Sequence, residues 1–136
     1  MINFQNKSVL VTGASRGIGF AVAEAFVVAG ADVAILANDD LVHDAAARLS
    51  DACGRPVRSF FTDITDRAAL QTAFASISTL DVLVNNAGLE LITPLTDPSD
   101  EVDATFARII DINIRGTWNV TRAALPLLKP GARIIN

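Results

Sequence analysis

The sequence predicts an α/β fold in which a doubly wound parallel sheet of about five strands carries helices on both faces. Three observations predict it. Short apolar runs rich in β-branched residues recur along the chain, separated by stretches of helical periodicity. Strands that alternate with helices favour a parallel sheet covered on both faces, because right-handed crossovers return each strand to the same sheet. The first apolar run also leads through a glycine-rich turn directly into a helical stretch.

This turn, residues 12–19, reads T-G-A-S-R-G-I-G and joins a strand predicted at 8–11 to a helix predicted at 18–29. Apolar residues at helical spacing predict one buried helix face, made of Ile18, Val22, Ala25, Phe26 and Ala29. A strand, a turn and a helix in this order aim the unpartnered N–H groups of the first helical turn at one point. Such a point attracts an anion.

The three glycines of the turn have separate expected functions. Gly13 lets the chain leave the strand sharply, Gly17 lets a phosphate approach the backbone, and Gly19 lets the helix pack close to the strand. A tight turn between two core elements would need glycines as well. The turn alone therefore leaves both interpretations open.

The later elements follow from breakers and apolar runs. Strands are predicted at 32–37, 57–61, 80–84 and 132–135, and helices at 42–49, 65–76 and 102–125. Gly30 is expected just after the first helix, and Thr65 is expected to cap the third. Asp97-Pro98 is expected to start the long fourth helix, and 129–131 to form the turn before the last strand.

Composition limits the function classes. A chain of 136 residues is expected to form one domain, 1–136. Its net charge of -4 and the lack of a basic cluster argue against nucleic-acid binding. No apolar run approaches the roughly 20 residues of a membrane helix, and the early first strand leaves no room for a signal peptide. The single Cys53 suits a reducing compartment, so a cytoplasmic location is expected. A lone His43 and scattered acids indicate no metal site.

Three motifs together resemble the short-chain dehydrogenase/reductase family. They are T-G-A-S-R-G-I-G at 12–19, N-N-A-G at 85–88 and D-I-N-I-R-G at 111–116. The resemblance spans nearly the whole chain and implies a Rossmann-type fold that binds NAD(H) or NADP(H) and acts between an alcohol and a carbonyl. It implies a catalytic tetrad of Asn, Ser, Tyr and Lys, of which only Asn113 can be placed here. The cofactor-binding positions that it implies are Gly13, Ser15, Arg16, Gly17, Ile18, Gly19, Asn38, Asp63, Ile64, Asn86, Ala87 and Gly88.

Polar residues at predicted strand ends carry two interpretations each. Asp63 follows the third strand and could accept from an adenine amino group or cap the following helix. Asn85 and Asn86 could simply close a turn, whereas the following Ala-Gly favours close approach of a ribose, with Asn86 as the contact.

Asn113 lies in an apolar helical stripe, where its amide must find partners or destabilise the fold by about 1–3 kcal/mol. It is either structurally satisfied or, as the resemblance implies, part of a bulge that holds a water in a proton relay.

The cofactor choice depends on the end of the second strand. NAD users of the family commonly carry an acidic residue there, whereas this chain has Ala37 followed by Asn38. Arg16 resembles the basic residue that meets a 2′-phosphate. Both features indicate NADP(H) rather than NAD(H), while the nearby Asp39 and Asp40 count against this choice.

The family's Ser and Tyr-x-x-x-Lys have no counterpart here, and the chain contains no tyrosine. Without that general acid/base, hydride transfer lacks a proton partner. We therefore expect the N-terminal part of a longer oxidoreductase, inactive by itself; a nucleotide-binding module without catalysis is the alternative. The resemblance further implies a small-molecule substrate and a homo-oligomer, formed through the long helix that carries Phe106 and Ile110.

Overall fold

A computed structural model describes residues 3–136 and confirms the Rossmann-type α/β architecture. Five parallel strands form one sheet in the order β3-β2-β1-β4-β5. The strands are β1 (Ser8–Thr12), β2 (Asp32–Ala37), β3 (Arg58–Phe61), β4 (Leu80–Val84) and β5 (Leu128–Ile135). The strands predicted at 32–37 and 80–84 have the predicted bounds, because each is a mostly apolar and mostly buried run between breakers.

The helices alternate with the strands as predicted. They are α1 (Gly17–Val28), α2 (Leu41–Cys53), α3 (Arg67–Phe74), α4 (Asp100–Ile110) and α5 (Thr117–Ala124). A π-helical segment, Asp111–Gly116, joins α4 to α5, and a 3₁₀ turn, Leu125–Leu127, follows α5. Among residues 3–136, no helix combines the length and the apolar character that crossing a bilayer requires.

Alternate residues of the strands face two separate cores. Val9, Val11 and Ile35 face α1 and α2, whereas Leu10 and Leu36 face α3 and α5. All five side chains are fully buried, since β1 and β2 lie inside the sheet and are covered on both sides. The sheet is thus wound on both faces, and the carboxyl ends of its strands remain open to a ligand.

The buried face of α1 differs from the predicted one. Ile18 is 78% exposed, and the buried residues are Gly19, Ala23 and Val27. The small size of Gly19 and Ala23 lets the helix lie close to the sheet. The larger Phe26 packs at the margin of the core, edge-on against Phe4, with 4.9 Å between the ring centroids. Helical periodicity alone gives weight to the large residues and therefore places the face one residue away.

Two helix starts were predicted wrongly. Asp66, not Thr65, caps α3, because its carboxylate accepts from the N–H groups of Ala68 and Ala69, each at 3.0 Å. Ser99 precedes α4, and Asp97 instead accepts from the Ser99 N–H at 3.0 Å in a turn before the helix. Short polar side chains cluster at both places, and local sequence does not decide which one caps.

The last strand begins at Leu128, earlier than the predicted 132. Leu80 of β4 pairs with Leu128, but Val82 already pairs with Arg133, so β5 has a bulge against β4. The predicted turn at 129–131 is therefore an irregularity inside the strand, where Gly131 has a φ of 81°.

A carboxylate joins three strands at the edge of the sheet where they begin. Asp81 accepts from the Ser8 N–H at 2.9 Å, from the Lys129 ammonium at 3.1 Å and from the Lys7 ammonium at 3.3 Å. The Ser8 hydrogen bond, with help from the two lysines, outweighs burial and lowers the pKa of Asp81 from 3.8 to about 2. The charged carboxylate thus ties the starts of β1, β4 and β5 together.

We predict that Asp81→Asn lowers the free energy of unfolding at pH 7 by on the order of 1 kcal/mol, because an amide replaces a charged acceptor. The folded pKa lies below the unfolded value, so the contribution is complete above pH 3.8 and is lost as the pH falls to about 2. Urea unfolding at several pH values measures this difference, which should disappear near pH 2. Asp32→Asn is the matched control, since its pair with Arg58 is exposed and long, at 3.5 Å. An equal loss in both variants, or one independent of pH, would contradict the assignment.

Candidate functional site

An open cleft of about 350 Å³ lies at the carboxyl ends of the strands. Its lining comes from the turn after β1, from the segments after β2, β3 and β4, and from α4 with the π-helical segment. The lining residues are Gly13, Ser15, Arg16, Leu36, Ala37, Asn38, Asp39, Thr62, Asp63, Ile64, Asn86, Ala87, Gly88, Leu89, Arg108 and Ile112. The structure therefore brings most of the sequence-predicted cofactor positions into one cleft; Gly17, Ile18 and Gly19 lie outside its lining.

Thr12 and Asn86 fix the floor of this cleft. The buried Thr12 hydroxyl donates to the Val84 carbonyl at 3.3 Å and accepts from the N–H groups of Asn86 and Ala87, at 3.1 and 3.0 Å. The Asn86 side-chain amide donates to the carbonyls of Thr12 and Gly13, at 3.0 and 3.1 Å. Thr12 had no predicted function of its own, although its hydroxyl directly follows three buried apolar residues at the end of β1.

Gly13 and Gly19 are required by this close packing. A Cβ on Gly13 would lie 2.7 Å from the Cα of Ala87, and a Cβ on Gly19 would overlap the Gly13 carbonyl and the Asn86 amide. The role predicted for Gly19, close approach of helix and strand, is therefore seen in the packing. Ile18, between them, points to solvent.

Within residues 3–136, no side chain caps the N-terminus of α1. Arg16 occupies the N-cap position with no side-chain hydrogen bond to the helix, and the first turn holds no acidic residue. Gly17 has a φ of 60°, and a Cβ built on it meets no atom of residues 3–136 within 4 Å. This combination leaves positively polarised N–H groups beside open space, which suits an anion.

Asp39 links the segment after β2 to the glycine turn. Its Oδ2 accepts from the Ser15 hydroxyl at 2.9 Å and from the Arg16 guanidinium at 3.3 Å, and its Oδ1 accepts from the Leu41 N–H at 3.1 Å. Ala37 ends β2 and Asn38 lines the cleft, as the sequence alignment placed them. The contact of Asp39 with Arg16 was not predicted, because no periodicity reports where a loop side chain turns.

Asp63 closes a turn and also lines the cleft. Its Oδ1 accepts from the Thr65 N–H at 2.8 Å and from the Thr65 hydroxyl at 2.7 Å, so it does not cap α3. Its Oδ2 has no hydrogen-bond partner within residues 3–136, and it is available to a ligand in the cleft.

Asn113 lies outside the cleft lining and fixes the backbone of Leu89, which is part of that lining. Its Oδ1 accepts from the Leu89 N–H at 2.7 Å, and its Nδ2 donates to the Leu89 carbonyl at 2.9 Å. The partners that its place in an apolar stripe was expected to require are therefore the backbone groups of one cleft residue. The bulge expected around Asn113 is present as the π-helical segment, and the Thr117 hydroxyl donates to the Asn113 carbonyl at 2.9 Å.

The π-helical segment packs on Ile64. A Cβ on Gly116 would lie 2.6 Å from the Ile64 side chain, and Asn119, buried in α5, donates to the Ile64 carbonyl at 3.3 Å. The segment also shifts the phase of the helix. Val120 is buried, whereas Phe106 and Ile110 are 56% and 44% exposed, so the single apolar stripe predicted for this helix is divided.

Asn85 lies beside the cleft, at the end of β4. Its amide donates to the Thr121 hydroxyl at 3.0 Å and to the Asn136 side chain at 2.9 Å. Its Oδ1 is buried and meets no donor in the part of the chain that the structure describes. Over the same residues, no group of three potential metal ligands comes together.

Comparison with known proteins places these features in a family. The family model described as short chain dehydrogenase matches residues 7–136. Oxidoreductase UcpA of Salmonella typhimurium is 40% identical in an alignment of 124 positions that covers 88% of this chain and 46% of UcpA. Short chain dehydrogenase/reductase dpmpG of Macrophomina phaseolina is 35% identical in an alignment of 144 positions that covers 98% of this chain and 81% of dpmpG.

A solved structure of a short chain dehydrogenase has a similar fold. A short chain dehydrogenase from Shigella flexneri 2a, complexed with NADP, superposes with a TM-score of 0.81 at 27% identity, over 93% of this chain and 55% of that one. The chain thus spans about half the length of UcpA and of the Shigella protein.

Proposed function

Because the chain belongs to the short-chain dehydrogenase family, we propose that it is the N-terminal, dinucleotide-binding part of an oxidoreductase. The intact enzyme transfers hydride between a nicotinamide dinucleotide and an alcohol or carbonyl substrate. Residues 1–136 form its cofactor domain, and we assign the protein to the cytoplasm because a single Cys53 suits a reducing compartment.

The uncapped N-terminus of α1 beside the open space at Gly17 carries this proposal. A pyrophosphate placed there accepts from the first-turn N–H groups, and the absence of a Cβ at Gly17 lets it approach. Asp63 offers Oδ2 to the adenine amino group at the next part of the cleft. Asn86, Ala87 and Gly88 form the wall along which a ribose lies.

Arg16 supports NADP(H) as the preferred cofactor. Arg16 and Asn38 both line the cleft, where a 2′-phosphate can accept charge-assisted hydrogen bonds from the Arg16 guanidinium, and Ala37 provides no carboxylate for a 2′-hydroxyl. The Shigella flexneri structure, which contains NADP, shows that a fold of this shape accommodates the phosphorylated cofactor in a relative.

Asn113 serves the reaction through its backbone position. The bound nicotinamide supplies or accepts the hydride. The π-helical segment interrupts the regular α-helix around Asn113, and the Thr117 hydroxyl donates to the Asn113 carbonyl. A water held at this carbonyl continues a proton path from the substrate side, while the Asn113 amide keeps Leu89 in place.

A nucleotide-binding module without catalysis is the second candidate. It is favoured by one observation, the absence of any tyrosine in the 136 residues, because the family's general acid/base is a tyrosine. Binding of the cofactor without hydride transfer by the intact protein would favour this candidate.

The long helix supports self-association. Its exposed apolar residues are Phe106, Ile110, Ile114, Trp118 and Leu125. Strand β5 lies at the edge of the sheet, where Ile134 and Ile135 are 41% and 47% exposed. Apolar surface and an open strand edge of this kind both favour contact with a second copy.

The pyrophosphate site predicts a difference between two glycine variants. Gly17→Ala should weaken NADP(H) and NAD(H) binding by about tenfold or more, because the added methyl group meets no protein atom but blocks a phosphate. Gly54→Ala is the matched control, with a φ of 67° and equally open surroundings outside the cleft. Fluorescence titration of the intact protein measures both. Equal affinities in the two variants would refute the site.

The role of Asn113 predicts a selective loss of turnover. Asn113→Ala keeps the main-chain carbonyl but loses the two hydrogen bonds to Leu89 that hold this residue in place. It should therefore lower kcat of the intact protein by about 100-fold, the range of a disturbed proton transfer, with a smaller change in cofactor affinity. Asn119→Ala removes a buried amide of the same helical stretch and should reduce stability but not the kcat of the folded protein. Steady-state kinetics with thermal melts separate the two effects. A similar kcat in both variants would show that Asn113 is only structural.

Self-association predicts a change in mass. Phe106→Glu combined with Ile110→Glu should convert the intact protein to a smaller species, because two charges would be buried in the contact. Leu95→Glu, in an exposed loop, is the control and should leave the mass unchanged. Size-exclusion chromatography with light scattering reads the result. An unchanged mass in the double variant would exclude this helix as the interface.

A further inference from the structure

Two arginines on neighbouring helices differ from most cationic side chains of this protein. Within residues 3–136, Arg67 of α3 and Arg122 of α5 make no hydrogen bond, ion pair or contact with an aromatic ring, a property that they share with Arg108 of the cleft. Every other lysine or arginine contacts a carboxylate, a backbone carbonyl or an aromatic ring; these are Lys7, Arg16, Arg48, Arg55, Arg58, Arg115, Lys129 and Arg133. The donors of Arg67 and Arg122 are therefore available to a ligand.

Arg67 and Arg122 line the same groove, which runs between α3 and α5. It has a volume of about 180 Å³, and its lining residues are Arg67, Gln71, Asn119, Arg122 and Ala123. Among the residues that the structure describes, no acidic side chain is part of this lining, although the chain has a net charge of -4. Asp66 precedes Arg67, but its Oδ1 accepts from the Ala68 and Ala69 N–H groups at the start of α3. Two positive charges thus share one groove without a neutralising group.

Packing fixes the backbone on both sides of the groove. Leu70 of α3 lies in the same buried core as Val120 and Ala124 of α5. The buried Asn119 donates from its Nδ2 to the Ile64 carbonyl at 3.3 Å, so this amide belongs to the frame of the groove. The two arginine side chains are exposed and can turn toward a ligand, whereas the helices that carry them are held together. Binding therefore orders only side chains, which limits its entropic cost.

The chemistry of the lining favours a phosphate group among anions. A guanidinium is weakly hydrated and presents its N–H groups as a planar fork that matches phosphate oxygens. A phosphate group has oxygens for two such forks and carries close to two negative charges, whereas a carboxylate carries one. Gln71, exposed one helical turn after Arg67, adds an amide that can donate. At roughly 30 Å³ for each water molecule, the groove has room for a phosphate group.

We propose that the groove between α3 and α5 is a second ligand site, which binds a phosphate group through Arg67 and Arg122. It is separate from the cleft at the carboxyl ends of the strands, since the two share no lining residue. The inference does not rest on the proposed oxidoreductase function, because neither arginine contributes to the cofactor cleft.

NMR of the arginine Nε–H groups in the deuterated intact protein locates the bound ligand. Glycerol 3-phosphate, inorganic phosphate and acetate are titrated separately, with chloride keeping the ionic strength constant because salt screens exposed charges. We expect both phosphates to shift the Arg67 and Arg122 signals to saturation with one shared midpoint. The Arg115 signal should not shift, since Asp111 already pairs with that guanidinium. Acetate should cause no saturating shift.

Charge-removing variants test whether the two arginines act together. Arg67→Gln should weaken the phosphate binding that the Arg122 signal reports by about tenfold, because one charge-assisted fork is lost. Arg122→Gln should do the same to the binding that Arg67 reports. Arg115→Gln is the matched control, with an equal loss of charge in the adjoining π-helical segment, and should change the affinity by less than about twofold. Thermal melts check that each variant is folded.

Shifts that do not saturate, separate midpoints for the two arginines, equal binding of acetate or an equal loss in Arg115→Gln would each overturn the site. Tighter binding of glycerol 3-phosphate would identify the phosphate group of a larger molecule, and equal binding would identify free phosphate; either result supports the site. Carboxylates of a second copy are the competing occupant. A smaller mass by light scattering when Arg67→Gln and Arg122→Gln are combined, without a saturating phosphate shift in the unsubstituted protein, would overturn the proposal in their favour.

Discussion

The close approach of the ends of β1 and β4 is the constraint on which the cleft depends. One buried hydroxyl, that of Thr12, bonds to three backbone groups of β4 and the segment after it, and the amide of Asn86 returns two bonds to the turn. These bonds satisfy backbone groups that the parallel ladder no longer pairs beyond the strand ends. They also leave no room for side chains at Gly13 and Gly19, so the glycine motif is required by packing before any ligand is considered.

The part of the motif that packing does not explain is Gly17. Gly13 and Gly19 face protein atoms, whereas Gly17 faces open space in the same turn. The backbone of the turn also favours glycine at this position, since the φ of Gly17 is 60°. The tight turn therefore accounts for all three glycines, and the open space beside Gly17 is what supports the proposed anion site.

Sequence was most informative where burial is continuous. The runs at 32–37 and 80–84 are apolar except for Asp32 and Asp81 and are bounded by breakers, so their bounds were predicted to the residue. The positions of the cleft residues followed from this, because the ends of parallel strands meet at one edge. The remaining differences arose where tertiary contacts decide: the choice of Asp66 as a cap, the bulge within β5 and the small-residue face of α1. Asp39 could not be placed, because its partners lie 24 and 23 residues earlier, in another loop.

The π-helical segment between α4 and α5 divides one helical stretch between two environments. In regular α-helix each residue turns the chain by about 100°, so one additional residue in a turn rotates everything after it. Here α5 faces the sheet with Val120 and Ala124, while α4 presents Phe106 and Ile110 outward. Removing a single residue from 111–116 would therefore not merely shorten the stretch. It would rotate α4 against α5. The cleft wall and the exposed apolar face of α4 would then both lose their alignment with the sheet.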